Sequence, residues 1–170
     1  ELTIHFESDL QIVVGQDITF DVLVAPSGIF VYEGAANVGD YSGTYIAGIL
    51  DQLGYEYLYS NSLPSIRGFE TVFLSFGNYE SGAISMNDAM ANAIIVFLED
   101  GGYLYLEGAD VLGFDQAANT QLLDLFGLVS ATDGSTNPIN SLSGQTTSLT
   151  NEMLFTGNSQ TSNSYIDKYQ

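Results

Sequence analysis

Between residues 28 and 127 the spacing of apolar positions changes several times, and each change marks an element. Ile29-Phe30-Val31-Tyr32-Glu33 is a continuous apolar run closed by an acid, the pattern of a strand covered on both faces. A loop of small residues, GAANVGDYSG, follows. Ile46, Ile49, Leu50 and Leu53 then stand at i, i+3, i+4 and i+7, which is one helix face, and Gly54 is placed to end that helix in a left-handed cap. YEYLY (55–59) predicts the next strand. The unit then recurs. TVFLSF (71–76) reads as a buried strand and GNYESGAIS as its loop. Ser85 with Asp88 has the spacing of a capping box, and Met86, Met90, Ile94, Phe97 and Leu98 line a helix that Gly101 stops. YLYLE (103–107) predicts a fourth strand. Asp115 is expected to cap a third helix with the face Ala118, Leu122, Leu125 and Phe126, stopped by Gly127.

The two ends follow other patterns. In residues 1–25, Leu2, Ile4 and Phe6 alternate with polar positions, LQIVV follows a Ser8-Asp9 turn, and Ile18, Phe20, Val22 and Val24 keep a period of two. Three short strands bury too little surface to stand alone. Residues 1–27 are therefore expected to be an antiparallel β segment, either an appendage or the end of a preceding β-sandwich, joined at Ala25-Pro26-Ser27-Gly28. From about residue 130 the chain is rich in Ser, Thr, Asn, Gln and Gly. LVSA, INSLSG and EMLFTG are candidate short strands, Asp133-Gly134 and Asn137-Pro138 read as turns, and SYIDKYQ shows no obvious closing element.

Strand, loop, helix, glycine, strand, repeated, is the signature of βαβ units wound right-handed into a parallel sheet. The expected fold is α/β over residues 28–170, with a polar part from about 130. Its sheet is a doubly wound, mainly parallel flavodoxin-like one in the order 2-1-3-4, with helices on both faces.

Charge changes what such a domain can bind. Lys plus Arg number 2 against 21 Asp plus Glu, a net charge of −19, and the only cations are Arg67 and Lys168. Nucleic-acid binding needs a basic footprint and is excluded. An anionic membrane surface is disfavoured for the same reason, and no run approaches the roughly 20 apolar residues of a membrane span. An acidic surface suits cations, salty surroundings or solubility outside the cell. It reads either as a solvated face or as one or more calcium sites, since Ca²⁺ takes carboxylate and carbonyl oxygens. No other cofactor is expected.

The chain has no cysteine, which excludes thiol catalysis, disulfides, zinc–thiolate sites and iron–sulfur clusters. It has one histidine, His5, on an alternating strand pattern, where a structural or surface role is the plainer one. A Ser–His–acid triad built on Ser75, Ser81 or Ser85 would need a histidine beside them, and no GxSxG, GxGxxG or GxxxxGK[ST] is present.

In open α/β sheets ligands gather beyond the carboxyl ends of the strands. Three loops meet there, 33–40, 77–85 and 107–115, and bring Glu33, Asp40, Glu80, Glu107, Asp110 and Asp115 to one edge. Converging acids with no cation nearby must be separated by water, neutralised by a metal, or raised in pKa. Glu33 and Glu107 are the catalytic candidates, in the manner of paired carboxylates flanking a glycosidic bond. Asp40, Asn78, Tyr79, Glu80 and Asp110 are the candidate ligand edge, and Glu33, Glu80, Glu107 and Asp110 the candidate Ca²⁺ ligands. Tyr32, Tyr41, Tyr57, Tyr59, Tyr79, Tyr103 and Tyr105 offer rings that stack on sugars, although packing is the plainer role for each.

The succession IFVYEG, a helix ending LGY, TVFLSFG and IIVFLEDGGYLYLEG resembles the class I glutamine amidotransferase-like (flavodoxin-like) superfamily over about residues 28–127. The likeness rests mainly on FLEDGGYLYLEGAD, where a helix, a Gly-Gly and a strand lead to an elbow. In active members the elbow residue is a cysteine nucleophile with a downstream His and Glu. Here the elbow carries Glu107, and no histidine follows residue 5. The resemblance thus implies the fold without its amidotransferase chemistry. Non-catalytic members are similar to modules of large secreted bacterial proteins, often beside β-sandwich domains, which suits residues 1–25. The expectation is a non-enzymatic interaction or structural module of an extracellular or cell-surface, multidomain or self-assembling protein. Its partner would be a protein, a neighbouring domain or another copy. The alternatives are a carboxylate- or metal-dependent hydrolase at the Glu33/Glu107 edge, and a sugar- or small-molecule-binding domain at the same edge.

Overall fold

A computed structural model of the chain describes residues 28–34, 42–63, 65–77, 84–135, 141–143, 151–156 and 166–170. The β segment 1–27 with His5, and the ligand-edge residues Asp40, Asn78, Tyr79 and Glu80, lie outside the described residues.

Strands β1 (Ile29–Glu33), β2 (Leu58–Ser60), β3 (Thr71–Ser75) and β4 (Tyr103–Glu107) form an all-parallel sheet in the order β2-β1-β3-β4. Alternation along the strands divides the side chains between two faces. Phe30, Tyr32, Val72 and Leu74 belong to the main apolar cluster together with Ile94, Ile95 and Phe97 of helix α2 (Asp88–Glu99) and Leu122 and Leu123 of helix α3 (Thr120–Leu125). Glu33, of opposite parity, lies against Gly43 of helix α1 (Ser42–Leu53). Phe30 and Phe69 pack with ring centroids 5.0 Å apart, and Tyr32 meets Phe76 edge-on at 5.6 Å.

The helix ends have specific causes. Gly54, at φ +76°, closes α1: its N–H donates to the Asp51 carbonyl at 3.1 Å and the Tyr55 N–H to the Leu50 carbonyl at 3.0 Å. That pair of bonds is a Schellman motif. It draws Tyr55 into the helix end, so the following strand starts at Leu58 rather than at Tyr55. At α2 the cap is Asn87, whose Oδ1 accepts from the Met90 N–H at 3.0 Å, not the expected Ser85–Asp88 box. The cap of α3 is Asn119, which accepts from the Leu122 N–H at 3.1 Å. Asp115 caps no helix. Asp110 adopts a left-handed φ of 62°, and the chain widens into a π-helical turn, Val111–Asp115, in which the Asp115 N–H donates to the Asp110 carbonyl at 2.8 Å. From the end of that turn the Asp115 carboxylate accepts the Met86 N–H at 2.7 Å, tying the lead into α2 to the turn after β4. With α3 this short, Leu122 is buried but Leu125 is exposed.

The polar part also forms strands. β5 (Ala131–Ser135) pairs antiparallel with β8 (Ile166–Tyr169), and β6 (Ser141–Ser143) with β7 (Leu154–Thr156). Asp133-Gly134 is not a turn: it lies inside β5, where the pairing register shifts between Thr132 and Ser135. Within SYIDKYQ, which shows no closing pattern, Ile166–Tyr169 is the partner of β5.

Candidate functional site

The register of the parallel sheet sets Glu33, Ser75 and Glu107 side by side at the carboxyl ends of β1, β3 and β4. With β3 between them, the Cα atoms of Glu33 and Glu107 are two strand spacings apart, roughly 9–10 Å. All three side chains share the face against which α1 packs.

Glu33 is only 3% exposed. A carboxylate so far from water needs donors or positive potential. The start of α1 supplies them: the Thr44 N–H donates to Glu33 Oε2 at 3.3 Å. The first turn of α1 carries no acid of its own, so Glu33 brings from β1 the anion that the helix N-terminus favours. Gly43 makes the approach possible, because a Cβ there would lie 2.8 Å from Oε2. The phenol of Tyr32 is pushed up by burial and then by the negative charge of Glu33.

Glu107 is half-buried and accepts a hydrogen bond from the Tyr105 hydroxyl at 2.8 Å. Burial, followed by that bond and the charge of Glu107, pushes the Tyr105 phenol up to about 12. Between the two acids Ser75 is 1% exposed, and its Oγ makes no hydrogen bond. The backbone pairing continues past the strand ends: the Gly34 N–H donates to the Ser75 carbonyl at 2.7 Å and the Phe76 N–H to the Glu107 carbonyl at 2.9 Å.

Asp110 joins a different group. Its carboxylate, with those of Asp133 in β5 and Asp167 in β8, contributes oxygens that all lie within 4.8 Å of one another. Among the described residues this is the group whose acids converge closely enough to hold a metal ion. Asp167 anchors it. Its Oδ2 accepts the Gly113 N–H at 2.8 Å and the Tyr169 hydroxyl at 3.4 Å. Its Oδ1 is buried without a hydrogen-bond partner. Burial is the main cause that raises the Asp167 pKa; the charges of Asp110 and Asp133 add to it, while the bonds from Gly113 and Tyr169 oppose it. A donor set of carboxylate oxygens alone, with one buried oxygen unbonded, fits a hard cation such as Ca²⁺ and not a soft or imidazole-preferring one.

Of the residues singled out in the sequence, Glu33 and Glu107 stand at one sheet edge with β3 between them, and Asp110 stands with Asp133 and Asp167. The sequence alone does not mark those two partners. Asp133 reads as a turn residue and Asp167 lies in a tail without pattern; local sequence carries no signal that joins them. Of the two cations, Arg67 is spent at an exposed pair, its Nη2 3.0 Å from Asp100 Oδ2. In comparisons with known proteins, no family model matches the chain, and no match was found among curated proteins or solved structures.

Proposed function

We propose that the chain is a non-enzymatic interaction or structural module of an extracellular, multidomain protein, built on a doubly wound flavodoxin-like domain similar to amidotransferases but without their chemistry. One observation carries the reading: the Glu33 carboxylate is buried and bonded to the first turn of α1. An acid used in this way holds β1 to α1 and is not poised toward a substrate. Glu107, at the elbow, is likewise engaged by a phenol of its own strand. The absence of cysteine from the sequence, with His5 as its only histidine, supports the same conclusion. The test is a turnover panel of fluorogenic glycosides, esters and amides, with and without Ca²⁺, run on the wild-type chain and on Glu107→Gln. The module reading expects no turnover that differs between the two. Turnover lost in Glu107→Gln at unchanged melting temperature would instead establish the carboxylate-dependent hydrolase.

A second reading concerns calcium, and the three-aspartate group favours it. A divalent cation there would join the turn after β4 to both strands of the β5–β8 pair and offset three negative charges. Its role is stabilisation, not catalysis.

A further inference from the structure

Helix α1 is apolar round more of its circumference than it buries. Gly43, Ala47 and Leu50 face the sheet, yet Ile49 and Leu53 are 55% and 66% exposed. The hydroxyl of Thr44 lies 3.2 Å from that of Tyr59, so the Thr44 flank of the helix faces β2. At about 100° per residue, Leu53 lies roughly 180° and Ile49 roughly 140° round the helix from Thr44. Their flank therefore looks the other way, over β3 and β4. There, among the described residues, the sheet face that carries Glu33 and Glu107 buries Ser75 at the end of β3 but is open along β4. Phe73 is half-buried and packs on Tyr105 with centroids 6.0 Å apart, and Tyr105 and Tyr103 are 46% and 68% exposed. A helix flank and a sheet face thus meet as two apolar walls of one slot. Contiguous exposed apolar surface of this kind marks an interaction site.

We infer that this slot docks an amphipathic, cationic α-helix supplied by a different polypeptide; the inference rests on the interaction-module reading above and names its partner. The shape fits a helix: five residues of β4 run about 16 Å, the length of about 11 helical residues. A helix also satisfies its own backbone, as an occupant of an apolar groove must. Charge selects the source. The chain carries 21 acids against 2 cations, and Glu107 stands at the end of the slot. A second copy would bring like charge, whereas a helix rimmed with Lys or Arg brings the complement.

The probe is a synthetic amphipathic peptide of about 14 residues, leucine on one face and lysine on the other, beside a twin with glutamate for lysine. Binding is followed by fluorescence anisotropy at physiological salt, and self-association by sedimentation. The expected result is binding of the lysine peptide, at least tenfold weaker binding of the twin, and at least a tenfold loss in Leu53→Ser and in Tyr103→Ser. Both variants change exposed side chains, and a melting temperature within a few degrees of wild type shows that they are folded. No binding, or binding that the two variants leave unchanged, overturns the slot. A concentration-dependent dimer abolished by the same variants assigns the slot to a second copy and overturns the heterologous partner, leaving the module reading to its turnover test.

Discussion

The Gly113 N–H donates to Asp167 Oδ2 at 2.8 Å across 54 residues of chain. A Cβ at residue 113 would come within 2.3 Å of the Asp167 carboxyl. The absence of a side chain at Gly113 is what lets β8 dock on the turn after β4. Gly113→Ala is expected to cost about 1–3 kcal/mol, as overpacking does, and to lower the melting temperature by roughly 3–10 °C. Thermal melts should further show strong coupling: in an Asp167→Gly background, which removes the carboxyl and also the Cβ that would lie 2.7 Å away, Gly113→Ala should cost much less. Simple additivity would contradict the contact.

The proposal that Asp110, Asp133 and Asp167 bind calcium predicts linkage. At a hundredfold excess over its Kd, a ligand specific to the folded state adds about 2.7 kcal/mol, or a rise of roughly 5–10 °C. Calorimetry should show that rise with CaCl₂ and its loss in Asp167→Asn. In EDTA the same substitution should raise stability, since it removes one of three mutually repelling charges while keeping an acceptor for Gly113. A calcium response that survives Asp167→Asn would place the ion elsewhere.

The Tyr105 phenol gives a pH signature. Its pKa is raised from 10.0 to about 12 in the folded chain. The folded state therefore holds this proton where the unfolded state releases it. The contribution to stability is full below pH 10 and is lost as pH rises through about 12. The Tyr169 phenol is likewise pushed up to about 12, so ultraviolet titration should find late phenols, one fewer of them in Tyr105→Phe, and the Tyr105 phenol should titrate earlier in Glu107→Gln, which removes both the charged acceptor and its repulsion. A late titration left unchanged by Tyr105→Phe would place the Tyr105 phenol near 10 and contradict the bond.

The net charge of −19 predicts a salt response. Between 0.1 M and 1 M salt the Debye length falls from about 10 Å to about 3 Å, so self-repulsion eases. The melting temperature should rise with NaCl, and a fall would contradict this.

Much of the sheet is legible in the sequence. IFVYE and YLYLE predict β1 and β4 to the residue, and Gly54, Gly101 and Gly127, all at positive φ, mark where helices or their last turns stop. The strand order β2-β1-β3-β4 is also the one expected. Periodicity fails where tertiary structure decides. It marks Ile49 and Leu53 as apolar but does not say that the sheet covers only Ala47 and Leu50. It places Asp115 before a helix, whereas the left-handed Asp110 drives a π-helical turn. The site is partly legible. Glu33 and Glu107 follow from strand ends, but the union of Asp110 with Asp133 and Asp167 depends on the pairing of β5 with β8. No pattern near SYIDKYQ announces that pairing.

The central claim is that the buried acid at the end of β1 is structural, and Glu33→Gln tests it most directly. The substitution keeps shape but removes the charge held at the N-terminus of α1. A charge–helix interaction with its hydrogen bond is worth about 1–2 kcal/mol, so the melting temperature at neutral pH should fall by roughly 2–8 °C. A melting temperature unchanged or raised in Glu33→Gln would show that the carboxylate is not needed by the fold, and would contradict the account.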